Sequence, residues 1–386
     1  MPKNHGPASS SRSRVETALR SATKQARTRW TPPGAGSIRS RVKHAMSRVL
    51  RPYDRHTSDV LGGVVKNVRE ATIGVSDDVE NLRDEVGVIR DEVGVLREAV
   101  LAAEAEWKAF DTFVTADMDK AALELHARRS RFCTYLGENL AVCRVLGNMK
   151  MFVDTRDNVL APHLMTDGFW ESWITVAMLR LLEPGMVAVD VGANYGYFSI
   201  LMGRCVGRTG KVLAFEPNPH LAELVRRSLW ISGIREIDEV REEAAYSTSG
   251  EQARFFIPDA RPMNGRVVED QPYAGTMIDV PTVRLDDVLP EKVDFIKIDA
   301  EGGEREIWRG MSRTIENNPQ LQIFLEFNPR RTAHYDPHEF LNTIRDDGFA
   351  LAKVTYAGSY ELIDQQKFVA NGSEQMLFLR RASVAP

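Results

Sequence analysis

Residues Val187–Ser199 read VAVDVGANYGYFS, a run that leaves the chain few ways to fold. An apolar stretch reaches an acid, Asp190, then a glycine turn, Gly192-Ala193-Asn194-Tyr195-Gly196, then an apolar-periodic segment ending near Cys205. The pattern predicts strand, tight turn and helix, with the glycines letting the backbone approach a ligand and the first N–H groups of the helix facing it. A second short strand, Lys211–Phe215, ends on Glu216, where an acid meets the ribose diol in nucleotide-binding α/β units. The turn departs from G-x-G-x-x-G, because Asn194 stands where a middle glycine would bring the backbone onto a pyrophosphate. The pocket therefore suits an adenosyl ligand without phosphates.

A second stretch, VDFIKIDAEGGE at Val293–Glu304, predicts a central strand that carries polar groups. Alternation puts Phe295, Lys297 and Asp299 on one face and Ile296 and Ile298 on the other. Either Lys297 and Asp299 satisfy each other, or Asp299 is a carboxylate at the C-terminal sheet edge, where open α/β folds bind ligands. A further strand, Leu321–Phe327, brings Glu326 to the same edge, and His334 and His338 follow it.

VDVGANYGYFS, FEPNP, IKIDAEGGE and LEFNP together resemble the FkbM-type family of S-adenosylmethionine-dependent O-methyltransferases, over roughly Val153 to Arg381. The resemblance implies a class I methyltransferase fold: α/β, with a Rossmann-like seven-stranded sheet whose last strand is antiparallel. It implies S-adenosyl-L-methionine as cofactor and methyl transfer to a hydroxyl, usually on a sugar or natural product. Cofactor contacts then fall on Asp190, Gly192, Asn194, Gly196, Glu216 and Asp299. Glu171, in the Gly168–Glu171 element, is placed at the methionine end, and Glu243, in a third strand at Val240–Ala245, against adenine. Acceptor hydroxyls are poor nucleophiles until deprotonated, and a general base contributes typically ~10²–10⁴-fold. Candidates for that base are Asp299, Glu301, Glu326, His334 and His338, with a carboxylate-held magnesium as the alternative.

The rest of the chain is of another kind. Residues 1–56 hold thirteen Lys and Arg against Glu16 and Asp54, a net of +11, which leaves −15 for the remainder of a chain whose total is −4. Such a tail, rich in Ser, Arg, Pro and Gly, reads as largely disordered and attracted to phosphates of nucleic acid or anionic lipid. Within it, Ile38, Val42, Met46, Val49 and Leu50 at helical spacing suggest an amphipathic helix. A coiled coil is expected over 57–114, where Val79, Val86, Val93 and Val100 take a positions and Leu82, Ile89 and Leu96 take d. Asp78, Glu85 and Glu92 at g face Arg83, Arg90 and Arg97 at e′ in a parallel pair, predicting a parallel homodimer with a trimer as its rival.

A helical connector, 115–150, ending in a short strand-like entry at Leu140–Phe152, leads to the methyltransferase domain at 151–386, in which Asp259–Asp279 reads as a long lid or substrate loop. The three cysteines, Cys133, Cys143 and Cys205, have neither disulfide-framework density nor metal spacing, and no apolar run reaches the length of a membrane span. The expected location is cytoplasmic, with peripheral contact at the inner face of the membrane. Methylation of a glycan or hydroxylated small molecule competes with RNA methylation guided by the basic tail, and with a non-catalytic scaffold.

Overall fold

The computed structural model describes residues 62–63, 86–87, 89–98, 112–234, 238–259, 264–268, 273–332 and 335–381. The chain divides into two units, Met1–Trp107 and Lys108–Pro386. In the first, the described residues are helical, and Val86, Ile89 and Val93 are exposed on that helix. The basic tail, its amphipathic segment and most of the heptad run lie outside the described residues. Among the described residues no helix is long and apolar enough to cross a membrane.

The second unit opens with α1 (Lys120–Ser130), capped by Asp119, and an antiparallel sheet of β1 (Cys133–Gly137), β2 (Leu140–Val145) and β3 (Met149–Asp154). The connector is one helix followed by strands: the strand-like entry read at Leu140–Phe152 is β2 and β3, and β1 precedes it. No boundary falls at 150: β3 runs through it, and Leu123 and Val145 share one core with Val212 and Phe295. Helices α2 (Leu160–Thr166) and α3 (Ser172–Leu179) lead to β4 (Val187–Val191). Then come α4 (Tyr197–Val206), β5 (Lys211–Phe215), α5 (Pro219–Ile231) and β6 (Asp238–Arg241).

Beyond β6 the chain leaves the main sheet. The expected third strand breaks after Arg241, and β7 (Ala244–Ala245) joins a second sheet with β8 (Gln252–Pro258), β9 (Arg266–Val267) and β10 (Gly275–Val283), in the order β7-β10-β8-β9. The loop expected over Asp259–Asp279 is therefore partly strand: Val267 pairs with Phe255, and β10 registers residue by residue along β8.

The chain returns through α6 (Leu285–Val288), β11 (Phe295–Ile298), α7 (Glu304–Arg309), α8 (Ser312–Asn317) and β12 (Gln322–Phe327). It finishes with α9 (Pro337–Asp346), β13 (Phe349–Val354), β14 (Tyr360–Leu362), α10 (Gln365–Asn371) and β15 (Gln375–Arg381). The main sheet has the order β14-β13-β15-β12-β11-β4-β5-β6, with β15 antiparallel to both neighbours. Among the described residues it has eight strands rather than the expected seven, the extra one being the exposed edge strand β14. Ala188, Val212, Phe295 and Phe324 pack on one face and Val189, Leu213, Ile296 and Ile323 on the other, so the central strands are apolar on both sides. Against that background Asp190 in β4, Lys297 in β11 and Asp299 just beyond it stand out.

Candidate cofactor and acceptor site

The C-terminal ends of β4, β5, β11 and β12 open into one cavity of about 260 Å³. Gly192 lies at its floor with φ +78°, and a Cβ there would sit 1.8 Å from the Asp299 carbonyl oxygen, so only glycine lets β4 and β11 end this close together. Gly196, at φ +85°, acts through packing: a Cβ would press on Val225 of α5 at 3.0 Å, and Gly196 does not line the cavity.

The turn amides settle what the floor can hold. Gly192 and Ala193 both donate to the Phe215 carbonyl, Asn194 donates to Glu216 Oε2 at 2.8 Å, Tyr195 to Asn194 Oδ1, and Gly196 to the Ala193 carbonyl. Every backbone N–H from 192 to 196 is engaged within the protein, so this turn offers no cradle for a pyrophosphate. Glu216 accepts at both oxygens, the second from the Asn218 N–H at 2.9 Å, and these bonds pin a buried carboxylate at the cavity wall with lone pairs left for a diol. Burial pushes its carboxyl up to about 7 despite those donors. Ala244, Ala245 and Tyr246 complete this wall. Glu243, expected against adenine, does not line the cavity, because the strand break turns it back to accept from Arg241 Nε at 2.6 Å.

Asp190 also lies below the cavity rather than in it. It is fully buried; Ser199 Oγ donates to its Oδ2 at 2.6 Å, and Lys297 Nζ is 3.9 Å from Oδ1. Lys297, 1% exposed, donates to Asp299 Oδ2 at 3.0 Å and lies 4.9 Å from the centre of the Phe198 ring. One buried cation thus serves two carboxylates on neighbouring strands. Both alternatives for Asp299 hold at once: it pairs with Lys297, and it lines the cavity.

Around Asp299 the cavity is acidic. Glu171, Glu301, Glu326 and Glu374 line it, together with Arg331, Arg266 and Asn264. One carboxylate oxygen from each of Asp299, Glu301 and Glu326 lies within 4.8 Å of the others. Their charges are balanced from within. Burial opposes ionisation of Asp299, but the Lys297 ammonium and a hydrogen bond from Glu326 hold it below the usual carboxylate range. Burial and the Asp299 charge push Glu326 up to about 11, so the proton of the pair resides on Glu326 at neutral pH. Burial and Asp299 likewise push Glu301 up to about 7 and Glu171 to about 8. Arg331 bridges Glu301 and Glu374, the latter at 3.1 Å, and Asn264 Nδ2 donates to Glu301 Oε1 at 2.5 Å.

Backbone strain falls in the same place. Glu171, Asn194 and Glu301 are non-glycine residues with φ of 38°, 56° and 55°, and all three line the cavity. Of the other expected residues, His334 lies outside the described residues. His338 starts α9 and faces Gln365 of α10, away from the cavity lining.

The raised carboxyls carry a pH dependence. Glu171, Glu216, Glu301 and Glu304 hold their protons to about 7 or 8 in the fold against 4.5 ordinarily, so between those values the folded chain binds more protons than the unfolded one. Stability of the ligand-free protein should therefore fall as pH rises from 5 to 8. Denaturant midpoints that rise across that window would contradict the assignment.

The strand order, with an antiparallel last strand inserted beside β12 and a ligand cavity at the C-terminal edge, defines a class I methyltransferase fold. Residues 190–351 match the methyltransferase FkbM domain, a match that implies S-adenosylmethionine as cofactor. The chain is 27% identical over 154 residues to the methyltransferase sdnD of Sordaria araneosa, covering 32% of this chain and 59% of that protein. It is 31% identical over 153 residues to a protein-L-isoaspartate O-methyltransferase of Aeropyrum pernix, covering 34% and 59%. The matched stretches thus span about three-fifths of these curated relatives. A SAM-dependent O-methyltransferase structure from Thermotoga maritima aligns with a TM-score of 0.34 at 14% identity, covering 67% of this chain and 88% of that one.

Proposed function

We propose that the chain is an S-adenosylmethionine-dependent O-methyltransferase acting on a hydroxyl of a glycan or other hydroxylated small molecule. The observation that carries this reading is the division of one cavity into a wall suited to a phosphate-free adenosyl group, built on Glu216 and the spent turn amides, and an acidic wall around Asp299. Bound cofactor supplies a methyl group on a sulfonium, transferred in line to an oxygen. The protein's tasks are then position, exclusion of water and removal of the hydroxyl proton. Asp299, ionised at neutral pH, takes that proton. Glu326, which already holds one, donates a hydrogen bond instead of serving as a base. Glu301 is committed to Arg331 and Asn264 and shapes the acceptor's entrance.

The acidic lining also weighs against RNA. Six carboxylic residues against Arg266 and Arg331, the latter already paired with Glu301, Glu326 and Glu374, make a poor receptor for a phosphate backbone, which basic surfaces attract. Incubating the protein with cell extract and isotope-labelled cofactor separates the readings. Label should enter glycans or small molecules; label confined to ribonuclease-sensitive material would overturn the proposal, and failure to bind cofactor at all would leave a scaffold.

Glu216→Ala should weaken S-adenosylmethionine binding by about 1.5–3 kcal/mol, the worth of hydrogen bonds to a charged group. Unchanged calorimetric affinity in the folded variant would remove Glu216 from the site. A magnesium ion on Asp299, Glu301 and Glu326 is a second reading, supported by their spacing. It would have to displace Arg331 from Glu301 and the proton from Glu326, and methyl transfer that persists in a chelator excludes it.

We also propose, from the heptad pattern alone, that the enzyme is a parallel homodimer with two basic tails side by side and raised local affinity for anionic lipid. Because Val114 is buried and its N–H donates to the Leu146 carbonyl, a truncation testing this should begin at Lys108 rather than beyond Thr112. It should bind cofactor, sediment as a monomer and lose liposome binding. A full-length protein that is monomeric at micromolar concentration would contradict the dimer.

A further inference from the structure

We infer that Cys133 and Cys143 are a dithiol site for oxidation to an intrachain disulfide that staples the edge strand β1 to β2. The two are cross-strand partners in the antiparallel register, and both are free. The Arg144 N–H donates to the Phe132 carbonyl at 2.7 Å, one residue outside the pair on each strand, which makes Cys133 and Cys143 a non-hydrogen-bonded pair. Such pairs hold their Cα atoms about 4.5 Å apart with side chains on the same face, within the range of roughly 4.4–6.8 Å that a disulfide spans. No strand movement is needed.

The two thiols are unequal in a way that fixes the order of events. β1 is exposed along its length and Cys133 with it, whereas Cys143 alternates with Ala141 and Val145 on the buried face of β2, at 0% exposure. The Cys143 Sγ–H donates to the Met151 carbonyl at 3.5 Å, so a turn about Cα–Cβ must carry it from β3 toward Cys133. Burial, with the Cys133 thiol beside it, pushes the Cys143 thiol far above the ordinary range, so it does not meet an oxidant from solvent first. The Cys133 thiolate attacks one sulfur of a low-molecular-weight disulfide such as oxidised glutathione; that S–S bond breaks and one glutathione thiolate leaves. Cys143 then gives its proton to that thiolate, and its sulfur attacks Cys133 Sγ, expelling the second glutathione. Two protein thiols lose two electrons to form one disulfide, and one glutathione disulfide becomes two thiols.

The test treats the full-length protein with excess oxidised glutathione and maps peptides under non-reducing conditions. The expected result is a Cys133–Cys143 cross-link with loss of both thiols to maleimide, while Cys205 keeps its thiol as an internal control. Cys143→Ser should stop at a stable glutathione adduct on Cys133, and Cys133→Ser should leave Cys143 unmodified. A persistent glutathione adduct on Cys133 in the unsubstituted protein, an interchain Cys133–Cys133 link, or unreacted thiols would each overturn the inference.

Discussion

A Lys297→Met protein should be about 3–5 kcal/mol less stable than the parent, the usual cost of removing one partner from a buried ionic group. Methionine fits the volume, so packing contributes little. What remains is Asp190, fully buried and already with one oxygen unpaired, and Asp299, both without their cation. Adding Asp299→Asn should return part of the loss, since the second variant removes one of the stranded charges. Chemical denaturation with an unchanged slope but a lower midpoint checks this. A loss below about 1 kcal/mol would mean the lysine is dispensable and the strand ends are held by apolar packing alone.

Asp299→Asn alone should lower methyl transfer at saturating cofactor by about 10²–10⁴-fold, the contribution of a positioned base. The amide keeps the shape and can still meet Lys297, so the fold should survive. It cannot take a proton, and Glu326 cannot substitute while it holds its own. The measurement is turnover on the acceptor found by isotope labelling, with cofactor affinity measured in parallel. Near-normal turnover would pass the role to Glu301 or Glu171, whose carboxyls near 7 to 8 suit proton transfer at neutral pH.

Much of this site could be read in the sequence because its parts are local. Strand β4, its turn and α4 occupy one unbroken run, and Asp299 and Glu326 close strands whose apolar residues mark them. Arg331 and Glu374 were not foreseen. Arg331 sits in an irregular turn with no periodicity, and Glu374 reaches the cavity only because β15 inserts beside β12, a long-range pairing that leaves no mark in nearby residues. Glu243 is absent from the cavity lining for a related reason: nothing around Arg241 shows that the chain will change sheets there. The small sheet showed only as a strand-like entry at Leu140–Phe152, with β1 hidden by brevity. Its first hairpin turns at Gly137-Glu138-Asn139, where all three residues take positive φ, and only Asn and Gly advertise that conformation.

The insertion of β15 between β12 and β13 also says when this protein can begin to exist. Until Gln375–Arg381 has left the ribosome, β12 and β13 have no partner between them, and each presents an open, largely apolar edge. Everything earlier in the chain must wait in an incomplete sheet. Synthesis halted shortly before residue 375 should therefore yield a product prone to aggregation and degradation rather than a smaller working enzyme.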